Sequence, residues 1–341
     1  MNNIFKFFLI NVALVFSLKA GAQSFKTVSL DSGKNTSIRG MSVLNNKVAW
    51  LSGSNGWVAK TIDGNTFIWM QVKGYEKIDF RDIEAFSAKV VIIVSAGSPA
   101  YILKTTDGGE NWKKVYENTS PVIFLDGMEF LNKKEGFIFG DPIDGFMQLL
   151  ATKNGGETWE NISEKAAIML QKGEAAFAAS GTSIRSFKNK IYIATGGKVT
   201  NLYTSQNKGI SWVKEQLPLI QGKASTGCFS LAISKQNVFA IGGDYLQDKQ
   251  SDGNFAFRLN NEDDWRKSKS APSGYKSCVA YFGDNKLLAT GTSGTDISFD
   301  SGLNWLKIDN QSFDVCQKAE KGKLVLLAGS KGKVSKLVKL D

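Results

Sequence analysis

The chain alternates short apolar runs with turns that are rich in Gly and Ser. Seven such stretches follow one another: VAWLSGSNG, VVIIVSAGS, GFIFGDPIDG, IYIATGG, VFAIGGDY, LLATGTSG and LVLLAGSKG. Each has the length and the β-branched or aromatic content of a strand that ends in a hairpin and leads into another strand. The pattern therefore predicts an all-β protein built from seven repeated units.

A second repeat follows these strands. A Ser or Thr stands two positions before an Asp or Asn, a Gly two after it and a Trp five after it, in Thr105–Trp112, Thr152–Trp159, Ser205–Trp212 and Ser298–Trp305. Thr61–Trp69 is one residue longer, and Leu259–Trp265 lacks the Gly. In such a turn the Asp or Asn accepts backbone N–H groups, the Gly takes a positive φ and the Trp packs underneath. This is the Asp-box motif, and we assign its Asp residues a structural role.

The repeat length predicts the architecture. The Asp or Asn residues of the six boxes stand 40 to 53 residues apart, and units of about 45 residues with four short strands are typical of propeller blades. The seventh unit ends at GKVSKLVKLD without a box, whereas FKTVSL near the N-terminus has no unit of its own. We predict one seven-bladed β-propeller over residues 23–341, with four antiparallel strands per blade and the N-terminal strand joining the last blade.

Residues 1–22 are typical of a signal peptide. Lys6 precedes an apolar run from Phe7 to Leu18, and Ala20-Gly21-Ala22 has the small residues of a cleavage site. The run is too short to span a bilayer. We therefore predict a protein that is exported to the periplasm or secreted, without stable membrane insertion.

The composition excludes several classes of function. The chain has no histidine, which removes Ser-His-Asp and Cys-His catalysis and His-ligated zinc. Cys228, Cys278 and Cys316 are widely spaced, so we expect three buried thiols and no disulfide framework. No glycine-rich dinucleotide fingerprint is present either. We expect no cofactor and no metal.

The net charge is +10, yet the lysines are spread along the chain and form no basic arm. This distribution argues against nucleic-acid binding and leaves affinity for anionic ligands open. We expect the protein to be a monomer.

One column of residues carries the candidate site. The first strands of the seven units align as SIRGMSV, DFRDIEA, FLDGMEF, SIRSFKN, GCFSLAI, GYKSCVA and SFDVCQK, and their third residues are Arg39, Arg81, Asp126, Arg185, Phe229, Lys276 and Asp314. The innermost strand of a blade starts at the mouth of the central channel, where charge stays solvated. One interpretation is a ring that neutralises itself through Asp126 and Asp314. The other is an anion-binding funnel whose Arg side chains bind a carboxylate or phosphate.

Loops on the same face add further candidates. The turns between second and third strands contain Asp141, Asp244 and Tyr245, and the long connection between units three and four contains Glu174. Long loops above a rigid scaffold often form binding sites. For Glu174, a structural salt bridge is an equally open interpretation.

The boxes, the seven turns and the Arg column together resemble the photosystem II stability/assembly-factor family over essentially the whole chain after residue 22. The resemblance implies an Asp-box propeller that binds a partner through an arginine-rich patch, matched here by Arg39, Arg81 and Arg185. The chain is also similar to bacterial sialidases, which have six blades. That resemblance implies an Arg triad of the same three residues, with Tyr245 as nucleophile, Glu174 as its helper and Asp82 or Asp141 as acid.

Two hypotheses of function follow. In the first, the protein is a non-catalytic scaffold that captures a protein segment or an anionic ligand in the funnel, through Arg39, Arg81, Asp126, Arg185, Asp244, Lys276 and Asp314. In the second, it is a histidine-independent glycoside hydrolase or lyase that acts on acidic sugars. Its Arg cluster would then hold the sugar carboxylate, and Glu174, Asp141 and Tyr245 would carry the reaction. The first is preferred.

Overall fold

A computed structural model describes residues 24–260 and 262–340. The predicted signal peptide, residues 1–22, lies outside the described residues. Nearly all regular structure is β: the elements in chain order are β1 (Phe25–Asp31), β2 (Ile38–Val43), β3 (Ala49–Gly53), β4 (Trp57–Thr61), β5 (Ile68–Gln71), β6 (Phe80–Ala85), β7 (Val91–Ser95), β8 (Ala100–Thr105), β9 (Lys113–Asn118), β10 (Leu125–Phe130), β11 (Gly136–Ile143), β12 (Phe146–Thr152), β13 (Glu160–Asn161), α1 (Ser163–Ala166), β14 (Glu174–Ala175), β15 (Ile184–Phe187), β16 (Lys190–Ala194), β17 (Gly196–Gly197), β18 (Asn201–Ser205), β19 (Val213–Gln216), β20 (Thr226–Ser234), β21 (Asn237–Asp244), β22 (Phe255–Arg258), β23 (Arg266–Lys267), β24 (Cys278–Gly283), β25 (Lys286–Gly291), β26 (Gly294–Ser298), β27 (Leu306–Asp309), β28 (Val315–Lys318), β29 (Val325–Ala328) and β30 (Val334–Lys339).

These strands form seven antiparallel sheets, one per blade, and the predicted seven-bladed propeller is confirmed. Blades 1 to 3 are β2–β5, β6–β9 and β10–β13; blade 4 is β15, β16, β18 and β19; blades 5 and 6 are β20–β23 and β24–β27. Blade 7 has the order β1-β30-β29-β28, so the N-terminal strand closes the ring as predicted. The short strands β14 and β17 extend the inner edge of blade 5 to six strands.

The Asp-box turns have the hydrogen bonds that their sequence predicts. In the box of blade 4, Ser205 Oγ accepts the Gly209 N–H at 2.8 Å and Asn207 Oδ1 accepts the Ser211 N–H at 3.0 Å. The equivalent glycines of the other complete boxes also have positive φ. A Cβ on Gly209 would meet the Phe137 ring of the preceding blade at 2.9 Å, so the turn packs closely against its neighbour. The box turn of blade 4 is therefore part of the contact between blades 3 and 4.

The boxes lie at the end of the blades away from the start of the inner strands. In blade 2, the Gly108 N–H donates to Lys89 O in the turn between the first and second strands, at 3.0 Å. In blade 3, the Gly155 N–H donates to Lys134 O in the same way, at 2.9 Å. Because successive strands run in opposite directions, these turns face away from the mouth where the inner strands begin. That mouth is therefore left to other loops.

The hydrophobic core lies between blades. Trp50 and Val58 of blade 1 pack with Phe80 and Ile83 of blade 2, and similar buried clusters join the other neighbours. Cys228, Cys278 and Cys316 are buried and unoxidised, which confirms the prediction for the thiols. Within the described ranges, no helix is long and apolar enough to span a membrane.

Candidate functional site

Four inner strands carry a β-bulge at the predicted column. The pairing of inner and second strands shifts between Ile38 and Gly40, Phe80 and Asp82, Leu125 and Gly127, and Cys228 and Ser230. The extra residues in these bulges are Arg39, Arg81, Asp126 and Phe229. A bulge redirects the side chain of its extra residue, and here all four line the same cavity at the mouth of the channel.

This cavity, which we call the upper funnel, has a volume of about 590 Å³. Its lining combines the four bulge residues with Asp314 and Ser277 from blades 7 and 6, Asp141 near the end of β11, Tyr245 directly after β21, and the segment 175–179. The structure therefore brings five residues of the predicted column together in the upper funnel: Arg39, Arg81, Asp126, Phe229 and Asp314.

Arg185 does not lie at this mouth. Ile184 pairs with Ile193 as Met128 of blade 3 pairs with Ile138, so Arg185 occupies the position of Glu129 and not that of Asp126. Its guanidinium lies 3.2 Å from Glu129 and lines a second cavity at the other end of the channel. The alignment of blade 4 was therefore wrong by three residues. Thr182, and not Arg185, occupies the position that Asp126 has in blade 3, and Ser183 follows it into the strand.

Lys276 is displaced by one residue. Ser277 borders the upper funnel in its place, whereas the Lys276 side chain is 0% exposed and forms an ion pair with Asp296 inside blade 6. Its Nζ also donates to Ser293 Oγ and Gly294 O, both at 2.8 Å. A step of one residue along a strand turns a side chain to the opposite face, which accounts for the change.

The chain itself closes the channel. Residues 177–182 of the long connection cross the axis: the Phe177 ring stacks on Phe229 at 3.9 Å, Ser180 Oγ donates to Ser277 O at 2.8 Å, and Thr182 Oγ1 donates to Ser230 Oγ at 2.6 Å. We call these residues the plug. The sequence flagged this connection for its length but gave no sign that it enters the ring.

Arg39 and Arg81 hold the plug through its backbone. Arg39 Nη1 donates to Ala179 O and Arg81 Nη1 donates to Ala178 O, each at 3.1 Å. Arg81 also lies 3.6 Å from Asp79, whereas Arg39 makes no ion pair within the described part of the chain. Burial lowers the pKa of Arg81, and the neighbouring Arg39 charge lowers it further. Two like charges therefore stand side by side at the floor of the funnel.

Within the described residues, Asp126 and Asp314 form no ion pair with Arg39 or Arg81. Asp126 is 1% exposed, and neither of its carboxyl oxygens makes a well-aligned hydrogen bond with a described residue. Burial raises the pKa of Asp126 well above its usual value and the Asp141 charge raises it further, although Arg81 opposes both. Burial also raises the pKa of Asp141. Asp314 accepts a hydrogen bond from Ser37 Oγ at 3.1 Å. These contacts therefore do not form a self-neutralising ring of ion pairs.

Asp126 gives a testable pH dependence. Its pKa is raised in the folded protein, so its contribution to stability is complete below the ordinary value of 3.8 and is lost as the pH rises through the folded pKa. Asp126→Asn stays neutral, and its free energy of unfolding should therefore fall less steeply between about pH 5 and about pH 8 than that of the parent. Urea unfolding at both pH values measures this. Asp284→Asn, at a side chain that is 89% exposed, is the control. Parallel pH slopes for the parent and Asp126→Asn would contradict the assignment.

Glu174 lies outside the upper funnel. It is 3% exposed and accepts hydrogen bonds from Thr195 Oγ1 at 2.6 Å, from Asn201 Nδ2 and Tyr203 Oη at 2.9 Å, and from the Gln171 N–H at 2.9 Å. This contact set supports the structural interpretation, with hydrogen bonds in place of a salt bridge. Tyr245 lines the upper funnel and Glu174 does not, so the pair that the sialidase-like resemblance implies does not share this cavity.

Of the three remaining candidates, two lie in the upper funnel and one does not. Tyr245 is 47% exposed at the rim, and Asp141 Oδ1 accepts the Ala176 N–H at 3.0 Å beside the plug. Asp244 is buried behind the rim, where its carboxylate lies 3.5 Å from Lys223 Nζ and accepts the Leu246 N–H at 3.0 Å. Asp141 and Tyr245 line the upper funnel, and Asp244 does not.

A cavity at the opposite mouth was not predicted. This lower pocket, about 360 Å³ in volume, contains Asp82, Glu84, Glu129, Glu320 and Arg185. Burial raises the pKa of Asp82 to about 8 and raises that of Glu84 well above its usual range. The signal in the sequence was the carboxylate three residues after the column in FRDIEA and LDGMEF. The upper end of the channel thus holds two arginines beside three aspartates, and the lower end holds a cluster of carboxylic acids around Arg185.

The fold and the upper funnel define a seven-bladed propeller with an arginine- and aspartate-lined pocket at one mouth of a closed channel. No protein-family model matches the chain. It is 24% identical over 306 residues to the photosystem II assembly lipoprotein Ycf48 of Synechococcus sp. (strain CC9902), a match that covers 84% of this chain and 79% of that protein. The predicted resemblance to the photosystem II stability/assembly-factor family is thereby confirmed.

Solved structures agree on the fold. A structure of Ycf48 bound to a D1 peptide has a TM-score of 0.64 at 16% identity and covers 93% of this chain and 97% of that one. Ycf48 from Cyanidioschyzon merolae also has a TM-score of 0.64, at 15% identity, and covers 91% of this chain and 98% of that one. At these identities the structural likeness supports the fold alone.

Proposed function

We propose that this chain is an exported, non-catalytic binding scaffold that captures a protein segment. An acidic group of that segment binds in the upper funnel. The observation that carries the proposal is the pair Arg39 and Arg81. Each guanidinium donates one hydrogen bond to the plug, from its Nη1 atom, and the pair borders a cavity of about 590 Å³. Each guanidinium has five N–H donors, so the pair retains donors for a bound carboxylate.

The environment of the pair favours an anion. Arg39 has no carboxylate partner among the described residues, and the Asp126 carboxyl beside Arg81 is held towards its neutral form by burial. Partly buried guanidinium groups attract an anion more strongly than exposed ones, because less water screens the interaction. The relation to Ycf48, solved as a complex with a D1 peptide, supports a protein segment as the ligand. Export rests on residues 1–22.

The double variant Arg39→Gln/Arg81→Gln tests the proposal. Hydrogen bonds to charged groups contribute about 1.5–3 kcal/mol each, so the loss of both charges should weaken peptide binding at least about 100-fold. Binding is measured by fluorescence polarisation on an array of short labelled peptides, some with and some without Asp or Glu. The variant should lose the acidic peptides that the parent binds.

Arg266→Gln is the matched control, because Arg266 is an exposed arginine outside the upper funnel. Its peptide binding should equal that of the parent. Circular dichroism and the melting temperature report whether each variant folds. A folded double variant that binds acidic peptides as tightly as the parent would reject the funnel as the site.

A further inference from the structure

An aromatic cluster forms one wall of the upper funnel. Phe229, the only aromatic residue in the column, contacts Phe177 face to face at 3.9 Å and meets Tyr275 edge to face at 4.9 Å. Tyr245 stands edge-on to both Phe229 and Tyr275, at 6.1 Å and 6.4 Å between ring centroids. These four residues, Phe177, Phe229, Tyr245 and Tyr275, are the aromatic wall.

The wall is rigid at its base and open at its rim. Phe229 and Tyr275 are 2% and 6% exposed, so packing fixes their rings. Tyr245 is 47% exposed and is the part of the wall that a ligand reaches first. An exposed aromatic ring that is held edge-on by buried rings is a ready surface for another apolar or aromatic group.

The wall and the arginine pair are neighbours. Arg39 donates to Ala179, two residues after Phe177 in the plug. The Arg39 charge also acts on the Tyr275 hydroxyl, since it opposes the rise in the pKa of Tyr275 that burial causes. A ligand of a few atoms that binds at Arg39 therefore lies beside the aromatic wall.

We propose that the upper funnel recognises a carboxylate that stands next to an aromatic side chain, with the carboxylate on Arg39 and Arg81 and the ring against Tyr245. This inference rests on the proposed function and names the chemistry of the captured segment. Arginine donors alone accept any carboxylate, whereas the wall adds a preference, because an aromatic contact and the burial of a ring favour binding together. Phe229 takes a position that is charged in blades 1, 2, 3 and 7, and it forms the base of a specificity pocket.

The carboxylate has two sources in a protein segment. It is the terminal carboxylate of a chain that ends in an aromatic residue, or an Asp or Glu side chain beside an aromatic residue within a chain. Both place an anion within a few atoms of a ring. The probes therefore need both forms.

Four labelled hexapeptides separate these contributions. The first ends in Phe with a free carboxylate; the second is its amide; the third replaces the Phe by Ala and keeps the free carboxylate; the fourth has an internal Glu-Phe pair and an amidated end. We expect the first or the fourth to bind about tenfold more tightly than the ring-free third peptide, and the uncharged amide to bind weakest. Whichever of the first and fourth binds more tightly identifies the source of the carboxylate.

Tyr245→Ala tests the wall in the full protein. The variant should lose about tenfold affinity for the tighter Phe-containing peptide and leave the ring-free peptide unchanged. Leu246→Ala, at a neighbouring side chain that is 75% exposed and outside the funnel lining, should leave both unchanged. Tyr245 is half exposed, so its replacement leaves the buried rings in place.

The outcomes separate the two proposals. Equal binding of the Phe and Ala peptides, or an equal effect of Tyr245→Ala on both, overturns the aromatic preference. The proposed function still stands in that case if Arg39→Gln/Arg81→Gln weakens the binding of these peptides. If the arginine variant binds all four peptides like the parent, the proposed function itself fails. A loss that is confined to ring-bearing peptides supports the wall.

Discussion

A chain that starts at Ser32, and so lacks β1, should fail to form a stable propeller. β1 pairs with β30 at six positions from Phe25 to Asp31, and it supplies the fourth strand of blade 7. Its Phe25 ring packs against Phe282 of blade 6 at 5.9 Å, and Trp69 of blade 1 donates to Asp31 Oδ2 at 2.7 Å. The strand therefore joins the two ends of the ring through backbone and side-chain contacts.

The expected loss is large. Removal of β1 exposes the edge of β30 and opens the contact between blades 7 and 1, and an open sheet edge promotes aggregation. We expect a loss of at least about 5 kcal/mol, which is comparable with the whole stability of many domains. Size-exclusion chromatography and urea unfolding measure the result against a chain that starts at Gln23.

An added strand serves as the control. A synthetic peptide of residues 23–33 should pair with β30 in the truncated chain and restore a soluble, cooperatively unfolding protein. A peptide with the same composition in scrambled order should not. If the chain from Ser32 unfolds like the chain from Gln23, ring closure by β1 contributes little to stability.

Lys276→Met should be the most damaging single substitution that we consider. Lys276 and Asp296 form a buried ion pair in which the Asp296 carboxylate also accepts a hydrogen bond from Ser273 Oγ at 2.9 Å. Replacement of the lysine leaves a buried carboxylate without its cation. Breaking such a pair on one side costs about 3–5 kcal/mol. Urea unfolding at neutral pH measures the loss.

A second variant separates the ion pair from the packing. Lys276→Met/Asp296→Leu removes both charges, and it should be more stable than Lys276→Met alone, because no unpaired charge stays buried. Lys113→Met is the exposed comparison: Lys113 is 70% exposed and its partner Glu157 is 44% exposed, so the loss should stay below about 1 kcal/mol. A double variant less stable than the single one would show that packing outweighs charge at this position.

The repeats predicted the fold because they are local. The box residues fix a turn through hydrogen bonds within a few positions, such as Ser205 to Gly209, and these contacts do not depend on the other blades. The mismatch between the unpaired strand at the N-terminus and the incomplete seventh unit predicted how the ring closes. Both follow from counting along the chain.

The positions of the column residues were predicted in part, and the failures have a geometric cause. Arg39 and Arg81 were assigned correctly to one mouth, since FRD and IRG enter their strands in the same way. Arg185 ends the same tripeptide, SIR, as Arg39, but it lies three residues further along its inner strand. Lys276 lies one residue before the position that lines the funnel. Side-chain direction alternates along a strand, so an offset that is invisible in a short motif changes the face or the end of the channel.

The amino-acid sequence by itself determined the seven blades, the structural role of the boxes, the closing strand and the absence of imidazole chemistry, because each depends on local spacing or on composition. Only the tertiary structure decided which charges meet. The bulges turn Arg39, Arg81 and Asp126 towards the axis, and the plug from a distant loop divides the channel into an upper funnel that contains these residues and a lower pocket that contains Arg185. Those contacts join residues up to 140 positions apart, and no local pattern encodes their register.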